Sequence, residues 1–292
     1  MTATEQRDRL HKPGVAGSSP AAAITHCPAE EYHSWPQISC SQLKDLASSP
    51  LGFYLRHVAK TAPPKTSDAL SYGTLLHAWA ELGEKPFWGR VSVAPADLVT
   101  ATGQLGRAAQ QWLAEQPADA IPLSPSQREQ LWQQTRQILA NTAARELLEQ
   151  AIDREFNVTW KWHGHEMRCR CDGATEAVWF DLKTTREAEP LRTFWRSVSD
   201  WGYDLQSAVY EAAAVAAGWP EHRLRFIVTS NTFPHHCSVV YLPATVVERG
   251  RKRALRLLAD LRQRMEWGSW LPADYGSVSE LECPAHLHER SW

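Results

Sequence analysis

The sequence predicts a single domain of the α/β or α+β class, in which helices precede and follow a β-meander. Apolar residues recur at helical spacing in the first half of the chain and again near its end. In the middle of the chain, around residues 155–183, they instead follow the alternation that is typical of strands. With 292 residues, of which 43% are hydrophobic, the chain can enclose a sizeable core.

The N-terminal stretch 1–30 is rich in Ala, Ser, Pro, Gly and Thr and has no periodicity. A disordered tail is therefore predicted there, and the domain is assigned to 31–292. The first helix is predicted to begin at Ser39, whose side chain would cap it, and to stop at Ser49-Pro50. Further helices are predicted over about 50–58, 67–82 and 125–152, with irregular helical pieces between 92 and 122.

The sheet is predicted from a meander in the middle of the chain. Its strands are Glu155–Trp162, Glu166–Asp172 and Val178–Lys183, and Gly164 makes the first hairpin turn. The remaining predicted elements are a helix over 204–217, strands over 225–229 and 237–242, and a long helix over 244–265. No repeat or internal boundary divides the chain, so one domain is expected.

Composition limits the classes of function. The net charge is −2, from 31 basic and 33 acidic residues, so binding of nucleic acid would need a local basic surface. No apolar run approaches the roughly 20 residues of a membrane span. The N-terminus lacks the apolar region of a secretory signal. We therefore expect a cytoplasmic protein that has no membrane partner.

The six cysteines form no CxxC pair and no disulfide framework, so reduced thiols are expected. Cys169 and Cys171 share one face of a strand and could form half of a zinc site. No second pair of Cys or His residues has the matching spacing, however. Burial as small apolar side chains is the better interpretation of both thiols.

The most informative segment runs from Arg170 to Thr185. Asp172 ends one strand, and Asp181 and Lys183 lie on one face of the next strand, because alternate residues share a face. Carboxylate oxygens suit Mg²⁺ or Mn²⁺. An adjacent lysine can orient or deprotonate a metal-bound water, or stabilise charge that develops on a phosphate. These residues predict metal-assisted phosphodiester hydrolysis, and the simpler alternative is an exposed ion pair of little consequence.

Other side chains could complete such a site, although each could also be purely structural. Glu155 begins the meander and would supply a third carboxylate. His77 follows Gly73 by four residues, and this glycine would let the helix approach a neighbour closely and bring the imidazole to the metal. Glu81 lies one turn further along and is a weaker candidate. Mn²⁺ accepts imidazole beside carboxylates more readily than Mg²⁺ does.

Several polar and basic residues are candidates for contacts to the substrate. Gln206 and Tyr210 are one helical turn apart and could reach a phosphate or the lysine, or form a half-exposed helix face. Arg168 and Arg170 alternate with Asp172 and could pair with carboxylates or contact DNA. The last helix carries the strongest basic patch, which could bind DNA or simply be solvated. This patch includes Arg251, Lys252, Arg253 and Arg256, and a smaller cluster comprises Arg56, His57, Lys60 and Lys65.

Taken in order, these motifs resemble those of the PD-(D/E)xK nuclease superfamily, and specifically the exonuclease domain of the exodeoxyribonuclease VIII (RecE-type) family. The resemblance covers about residues 36–270. The matching motifs are Ile38–Leu43 with Ser49-Pro50, Gly73–His77, Glu155, Arg170–Asp172, Asp181–Thr185 and Gln206–Tyr210. The resemblance implies a restriction-endonuclease-like core, in which helices flank a central mixed sheet.

The resemblance also implies roles for the matching residues. The ligands of Mg²⁺ or Mn²⁺ would be His77, Asp172, Asp181 and the backbone carbonyl of Leu182. Glu155 would support the metal or its water, and Lys183 would activate the attacking water. Gln206 and Tyr210 would position the substrate or the lysine.

The implied reaction is metal-dependent hydrolysis of DNA, 5′ to 3′ from duplex ends, in recombination or phage DNA processing. Assembly into a trimer or tetramer, and a single-strand annealing protein as functional partner, are implied with it. Two features depart from the pattern. Val178-Trp179-Phe180 stand where the superfamily's name has a proline, and Cys237 and Cys283 are too few to complete the iron–sulfur cluster of some relatives, so no cluster is predicted. The alternatives are a structure-specific endonuclease of the same superfamily and a non-catalytic DNA-binding scaffold.

Overall fold

The computed structural model describes residues 22–63, 68–219 and 223–271. The strands in chain order are β1 (Ala23–Thr25), β2 (Ile38–Ser39), β3 (Val91–Val93), β4 (Ile121–Leu123), β5 (Asp153–Trp162), β6 (His165–Ala174), β7 (Trp179–Thr185), β8 (Arg225–Ser230) and β9 (Cys237–Val240). Within these residues, seven strands form one sheet in the order β1-β5-β6-β7-β8-β9, with β2 paired to β6. β5, β6 and β7 are the antiparallel meander, whereas β7 and β8 run parallel, so the predicted mixed sheet is confirmed.

The helices pack on both sides of this sheet. In chain order they are α1 (Ala29–Ser34), α2 (Cys40–Ser48), α3 (Pro50–Phe53), α4 (Asp68–Leu82), α5 (Glu84–Arg90), α6 (Ala109–Ala114), α7 (Pro125–Ala140), α8 (Thr142–Glu149), α9 (Pro190–Asp200), α10 (Tyr203–Ala216) and α11 (Ala244–Trp267). A π-helical turn over Tyr54–Val58 continues α3. In the described parts of the chain, no helix is both long enough and apolar enough to cross a bilayer.

The predicted serine cap at the start of α2 is confirmed. The Ser39 hydroxyl accepts from the Gln42 backbone N–H at 3.3 Å, and the Gln42 side chain accepts from the Ser39 N–H at 2.8 Å. This reciprocal pair satisfies two of the N–H groups that a helix start leaves without a partner inside the helix. α2 is thereby held at a defined position beside β6, with which β2 pairs in parallel.

Two apolar cores lie on opposite faces of the sheet. On the first face, Phe156, Val158 and Cys171 pack against α2, α9, α10 and α11. On the second face, Phe180 and Leu182 pack against α4, α5, α7 and α8. Burying apolar surface on both faces stabilises the fold at about 25 cal/mol per Å². Because both faces of the sheet are covered by apolar side chains, polar side chains can gather only near the ends of the central strands.

Gly250 sets the close packing of α10 against α11. A Cβ at this position would lie 2.0 Å from the Asp204 carbonyl oxygen, so the helices touch through backbone here. The buried Asp204 carboxylate binds the guanidinium groups on either side of that glycine, Arg249 at 3.2 Å and Arg253 at 3.5 Å. The sequence around the glycine therefore serves to join two helices as well as to carry charge.

Some elements differ from those predicted. Ala23–Thr25 pairs with β5, so the predicted tail does not extend to residue 30, and residues 1–21 lie outside the described residues. Between 92 and 122 the structure has short pieces of helix bounded by β3 and β4, which pair in parallel. α9 has no counterpart in the prediction. A strand of three residues, such as β1, carries too little periodicity to be recognised locally.

Candidate active site

The site lies where β6 and β7 part. The two strands pair at Gly173↔Phe180 and Ala174↔Trp179, and β7 then continues alongside β8. Just beyond this point the Leu182 N–H donates to the Oδ2 atom of Asp172 at 2.6 Å. The N–H and C=O of an extended residue point to the same strand edge. The Leu182 carbonyl, predicted as a metal ligand, therefore faces the same opening as the Asp172 carboxylate.

An irregular residue turns Glu155 toward this opening. By the register of β5 and β6, Glu155 lies opposite Asp172, and its φ of 47° is left-handed. Such a conformation costs a non-glycine residue on the order of 1–3 kcal/mol. The regular alternation of side chains between the two faces of the sheet is broken at Glu155. Arg154 lies on one face, where it donates to the Ala80 carbonyl of α4, and Phe156 is buried on the other face. Regular alternation would have placed both on one face.

His77 meets these two carboxylates from α4. Its Nδ1 atom lies 3.3 Å from Asp172 Oδ1 and 3.5 Å from Glu155 Oε1. One ligand atom from each of the three residues lies within 4.8 Å of the others. One imidazole nitrogen and two carboxylates form a donor set that suits Mn²⁺, and Mg²⁺ less well. We call His77, Glu155 and Asp172 the acidic cluster.

The neighbours of the acidic cluster partly follow the prediction. The second Glu155 oxygen accepts from Arg170 Nε at 2.7 Å. Burial, together with the nearby Glu155 carboxylate, raises the pKa of Glu81. Gly73 was predicted to let α4 approach a neighbour closely. This prediction is wrong, since a Cβ at Gly73 would have no atom of the described structure within 4 Å. Close approach of α4 to a neighbour does not require this glycine.

Asp181 and Lys183 form a second group beside the acidic cluster. Asp181 is 2% exposed, and its Oδ2 pairs with the Lys183 ammonium. Its Oδ1 accepts from the Gln206 side-chain N–H at 2.7 Å. Gln206 in turn accepts from Lys44 Nζ at 3.5 Å, and the Tyr203 ring lies 5.4 Å from the Lys44 ammonium and 5.5 Å from that of Lys183. Asp181 is therefore adjacent to the acidic cluster but outside it.

The charges of the two groups influence one another. The Asp172 carboxylate raises the pKa of His77 to about 10, against the opposing effect of burial. Burial would raise the pKa of Asp172, but His77, Lys183 and the Leu182 N–H bring it below its ordinary value. Burial and the Asp172 charge raise the pKa of Asp181. Burial alone would lower the pKa of Lys183, but Asp181 raises it above its usual range, so Lys183 is an ammonium here.

Three residues that were predicted to contact the substrate make hydrogen bonds within the protein. Arg168 is 3% exposed, donates to the carbonyls of Tyr32 and Trp35, and stacks on the Tyr32 ring. Arg170 donates to Glu155 and, at 2.9 Å, to the carbonyl oxygen of Cys27. The Tyr210 hydroxyl donates to the Arg170 carbonyl at 2.7 Å. Arg168 is therefore a structural anchor instead of a DNA contact, whereas Arg170 pairs with a carboxylate, which was the alternative predicted for it. Tyr210 anchors a backbone carbonyl instead of the substrate or the lysine.

The basic patch on α11 is only partly available for DNA. Arg253 pairs with Asp204, and Arg251 lies 3.4 Å from Glu248. Lys252 and Arg256 are exposed on the outer face of the helix. In the smaller cluster, Arg56 and His57 contact Asp45, and Lys60 is exposed. Lys65 lies outside the described residues.

Two site residues were missed by the sequence analysis, Lys44 and Tyr203. Lys44 directly follows the matching motif Ile38–Leu43, yet a lysine on an amphipathic helix is usually a surface residue. Tyr203 begins α10 one turn before Gln206. The spacing of Tyr203, Gln206 and Tyr210 on one helix was the available signal. Cys169 and Cys171 are fully buried in the first core, as expected of small apolar side chains.

The comparisons with known proteins agree with this fold. A family model described as a PDDEXK-like domain of unknown function (DUF3799) matches residues 39–274. The chain belongs to this family. Its fold class is therefore the predicted PD-(D/E)xK type, an α/β domain with a mixed central sheet. The more specific resemblance to the exodeoxyribonuclease VIII family stays a prediction.

Among solved structures, the chain is similar to a crystal structure of a candidate exonuclease from Eubacterium rectale. The identity is 13% and the TM-score 0.62, over 91% of this chain and 98% of that chain. At this identity the similarity shows the fold alone. No curated protein matches the chain.

Proposed function

We propose that this protein is a metal-dependent deoxyribonuclease that hydrolyses phosphodiester bonds from the ends of duplex DNA. One observation carries the proposal. The N–H of Leu182, which lies between Asp181 and Lys183, donates to Asp172 and so holds the Asp181–Lys183 pair next to the acidic cluster. Metal ligands and a buried ammonium within one opening are what phosphodiester hydrolysis requires. Membership of the PDDEXK-like family supports the same class of reaction.

The metal would be held by His77, Glu155 and Asp172, with the Leu182 carbonyl as a supporting oxygen donor, and Asp181 would hold the Lys183 ammonium beside it. When bound, a divalent ion supplies Lewis-acid polarisation of the phosphate and a water of lowered pKa. The donor set fits Mn²⁺ or Mg²⁺, with Mn²⁺ favoured because imidazole is among the ligands.

The protein's own residues supply positioning and charge. The ammonium of Lys183, kept charged by Asp181, would bind a phosphate oxygen and stabilise the charge that develops during hydrolysis. This role replaces activation of the attacking water as the best interpretation of Lys183, because a charged ammonium has no free electron pair with which to accept a proton. Gln206, itself held by Lys44, fixes one oxygen of Asp181 so that the other stays with the lysine.

The exonuclease form of this activity is preferred because the structure from Eubacterium rectale is a candidate exonuclease of the same fold. Digestion from 5′ to 3′, a trimeric or tetrameric ring, a single-strand annealing partner and a role in recombination or phage DNA processing belong to the same proposal. A structure-specific endonuclease would use the same residues. A non-catalytic scaffold would have no need of a nearly fully buried Asp181, because burying a carboxylate is costly.

The test is digestion of linear and covalently closed circular duplex DNA with Mg²⁺ or Mn²⁺. An exonuclease degrades linear DNA and spares closed circles, whereas an endonuclease cuts both. DNA labelled at either its 5′ or its 3′ ends gives the polarity. Absence of cleavage of either DNA with both metals, by a protein that still binds DNA, would contradict the proposal and favour the scaffold. The matched control is Asp181→Asn, which should bind DNA without cutting it.

A further inference from the structure

Each carboxylate of the acidic cluster has one oxygen near His77 and the other bonded to an N–H group from outside the cluster. Glu155 Oε1 lies 3.5 Å from His77 Nδ1, whereas Glu155 Oε2 accepts from Arg170 Nε at 2.7 Å. Asp172 Oδ1 lies 3.3 Å from the same imidazole nitrogen, whereas Asp172 Oδ2 accepts from the Leu182 N–H at 2.6 Å. A cation among the three side chains would therefore meet one oxygen of each carboxylate, because the other oxygen already has a donor.

The Arg170 guanidinium is fixed by further acceptors from β5 and from the segment that follows β1. Its Nη1 atom donates to the Cys27 carbonyl at 2.9 Å and to Asn157 Oδ1 at 3.3 Å. Asn157 is fully buried, and its side-chain N–H donates to the Thr25 carbonyl at 3.4 Å. Arg170 therefore cannot turn away from Glu155 without giving up hydrogen bonds to two other groups, and a charge-assisted bond of this kind is among the stronger ones in proteins.

The number of oxygens that each carboxylate offers distinguishes Ca²⁺ from smaller divalent ions. Ca²⁺ takes about six to eight oxygen ligands and often uses both oxygens of one carboxylate, whereas the smaller Mg²⁺ takes about six ligands and keeps several of its waters. Mn²⁺ also accepts an imidazole nitrogen such as that of His77. A Ca²⁺ ion that used both oxygens of Glu155 would have to share Oε2 with the positive charge of Arg170. The cluster therefore suits a small ion that needs few protein ligands.

We propose that Arg170 determines the metal specificity of the site: by bonding Glu155 Oε2 it confines Glu155 to one oxygen, so that the acidic cluster binds Mn²⁺ or Mg²⁺ in preference to Ca²⁺. This inference rests on the proposed nuclease function, because it concerns the metal of that reaction. Arg170 acts through Glu155 and is therefore a positioning residue. The Leu182 N–H has the same effect on Asp172, but a main-chain donor cannot be removed by a side-chain substitution, so Arg170 is the group to test.

The experiment compares the affinities of the metal-free protein for Mn²⁺ and Ca²⁺ in the absence of DNA, so that cleavage does not enter the result. The electron paramagnetic resonance signal of free Mn²⁺ measures Mn²⁺ binding, and Ca²⁺ is added as the competitor. The wild type should bind Mn²⁺ more tightly than Ca²⁺. Arg170→Met removes the donors and frees Glu155 Oε2. We expect it to raise the ratio of Ca²⁺ affinity to Mn²⁺ affinity on the order of tenfold, as is typical of groups that orient metal ligands.

Three further variants separate the geometry of Glu155 from the loss of a positive charge. Lys44→Met is the control for charge, since the Lys44 ammonium bonds the Gln206 side chain and its removal frees no oxygen of the acidic cluster. It should change the affinities for both ions by the same factor. Arg170→Lys keeps a cation beside Glu155 and should keep most of the preference for Mn²⁺. Arg170→Met combined with Glu155→Gln should lose the gain in Ca²⁺ affinity, because an amide offers a cation only one oxygen.

Two outcomes would overturn the inference. One is a ratio of Ca²⁺ to Mn²⁺ affinity in folded Arg170→Met that equals the wild-type ratio. The other is a raised ratio that persists when Glu155→Gln is added, because Glu155 would then not be its cause. If Arg170→Met does not fold, Arg170→Gln replaces it. Its neutral amide can still reach a carbonyl but competes less strongly for Glu155 Oε2, so the ratio should rise in the same direction, and a wild-type ratio would equally overturn the inference.

The inference and the proposed function can fail separately. If the wild-type protein degrades DNA but Arg170→Met has the wild-type ratio of affinities, the role of Arg170 is wrong and the nuclease proposal stands. If Arg170→Met gains Ca²⁺ affinity as expected but no metal supports cleavage by the wild type, the nuclease proposal is wrong and the role of Arg170 in metal binding stands.

Discussion

The Leu182 N–H donates to Asp172 Oδ2 at 2.6 Å across the opening between β6 and β7. This hydrogen bond connects the acidic cluster to the strand that carries Asp181 and Lys183. It satisfies a main-chain donor at the point where β6 no longer pairs with β7, and it fixes the Asp172 carboxylate. The other Asp172 oxygen remains directed at His77.

Replacement of Asp172 by Asn should abolish most of the nuclease activity. An amide oxygen can still accept from Leu182, so the fold should be retained, but the charge that binds metal is lost. We expect a rate loss on the order of 10²-fold or more, by analogy with removal of an electrostatic stabiliser. The measurement is degradation of linear duplex DNA at saturating Mn²⁺. Near-normal activity would remove Asp172 from the site.

The Asp181–Lys183 pair can be tested by a double-mutant cycle in EDTA. Lys183→Met leaves the buried Asp181 without its ion-pair partner, which should cost about 3–5 kcal/mol of unfolding free energy. Adding Asp181→Asn should recover much of that loss, because the uncompensated charge is gone. Activity should stay absent in both variants. Additive stability losses, measured by urea denaturation, would show that the pair is not coupled.

His77 links metal binding to pH. Its pKa of about 10 in the metal-free protein means that a metal must displace a proton at neutral pH. The apparent Mn²⁺ affinity should therefore rise as pH increases from 6.5 toward 10. Calorimetry in two buffers of different ionisation enthalpy should show release of about one proton per ion. Proton release that is unchanged in His77→Asn would assign the proton to another group.

The same pKa has a consequence for metal-free stability. Because the pKa of His77 is raised from 6.5 to about 10 on folding, the proton stabilises the folded state fully below pH 6.5. That contribution is lost as pH rises toward 10. The wild type should therefore be more stable than His77→Asn at pH 6, and the difference should shrink by pH 9.5. Urea denaturation in EDTA measures both values, and a constant difference would contradict the prediction.

Gly250 should tolerate no larger side chain. A Cβ there would lie 2.0 Å from the Asp204 carbonyl oxygen, so Gly250→Ala should push α10 and α11 apart and cost about 1–3 kcal/mol. Gly73→Ala is the matched control in another helix, where no described atom lies within 4 Å of the added carbon. It should stabilise the protein by up to about 1 kcal/mol. Thermal unfolding of both variants checks this, and equal effects would disprove the packing role.

Most of the fold was predictable because its main elements are long and strongly patterned. The meander and the Ser39 cap depend on residues near one another in the chain, and the structure confirms them. β1 was missed because three residues form a strand only by pairing with β5, which lies about 130 residues further along the chain. α9 was missed although its sequence carries a helical signal, since the buried residues Pro190, Phe194 and Val198 recur every four residues.

The sequence by itself determined the α/β character of the domain, because alternation and helical spacing are local properties of the chain. The order of its motifs gave the resemblance to the PD-(D/E)xK superfamily and the residue types of the site. Only the tertiary structure decided which polar groups are available for chemistry. Arg168 and Tyr210 share spacing with the site residues, but distant carbonyl groups take up their donors. Hydrogen-bond partners come from parts of the chain that spacing does not relate. The packing of distant segments therefore decided that His77 meets Glu155 and Asp172, and that Arg168 is buried away from them.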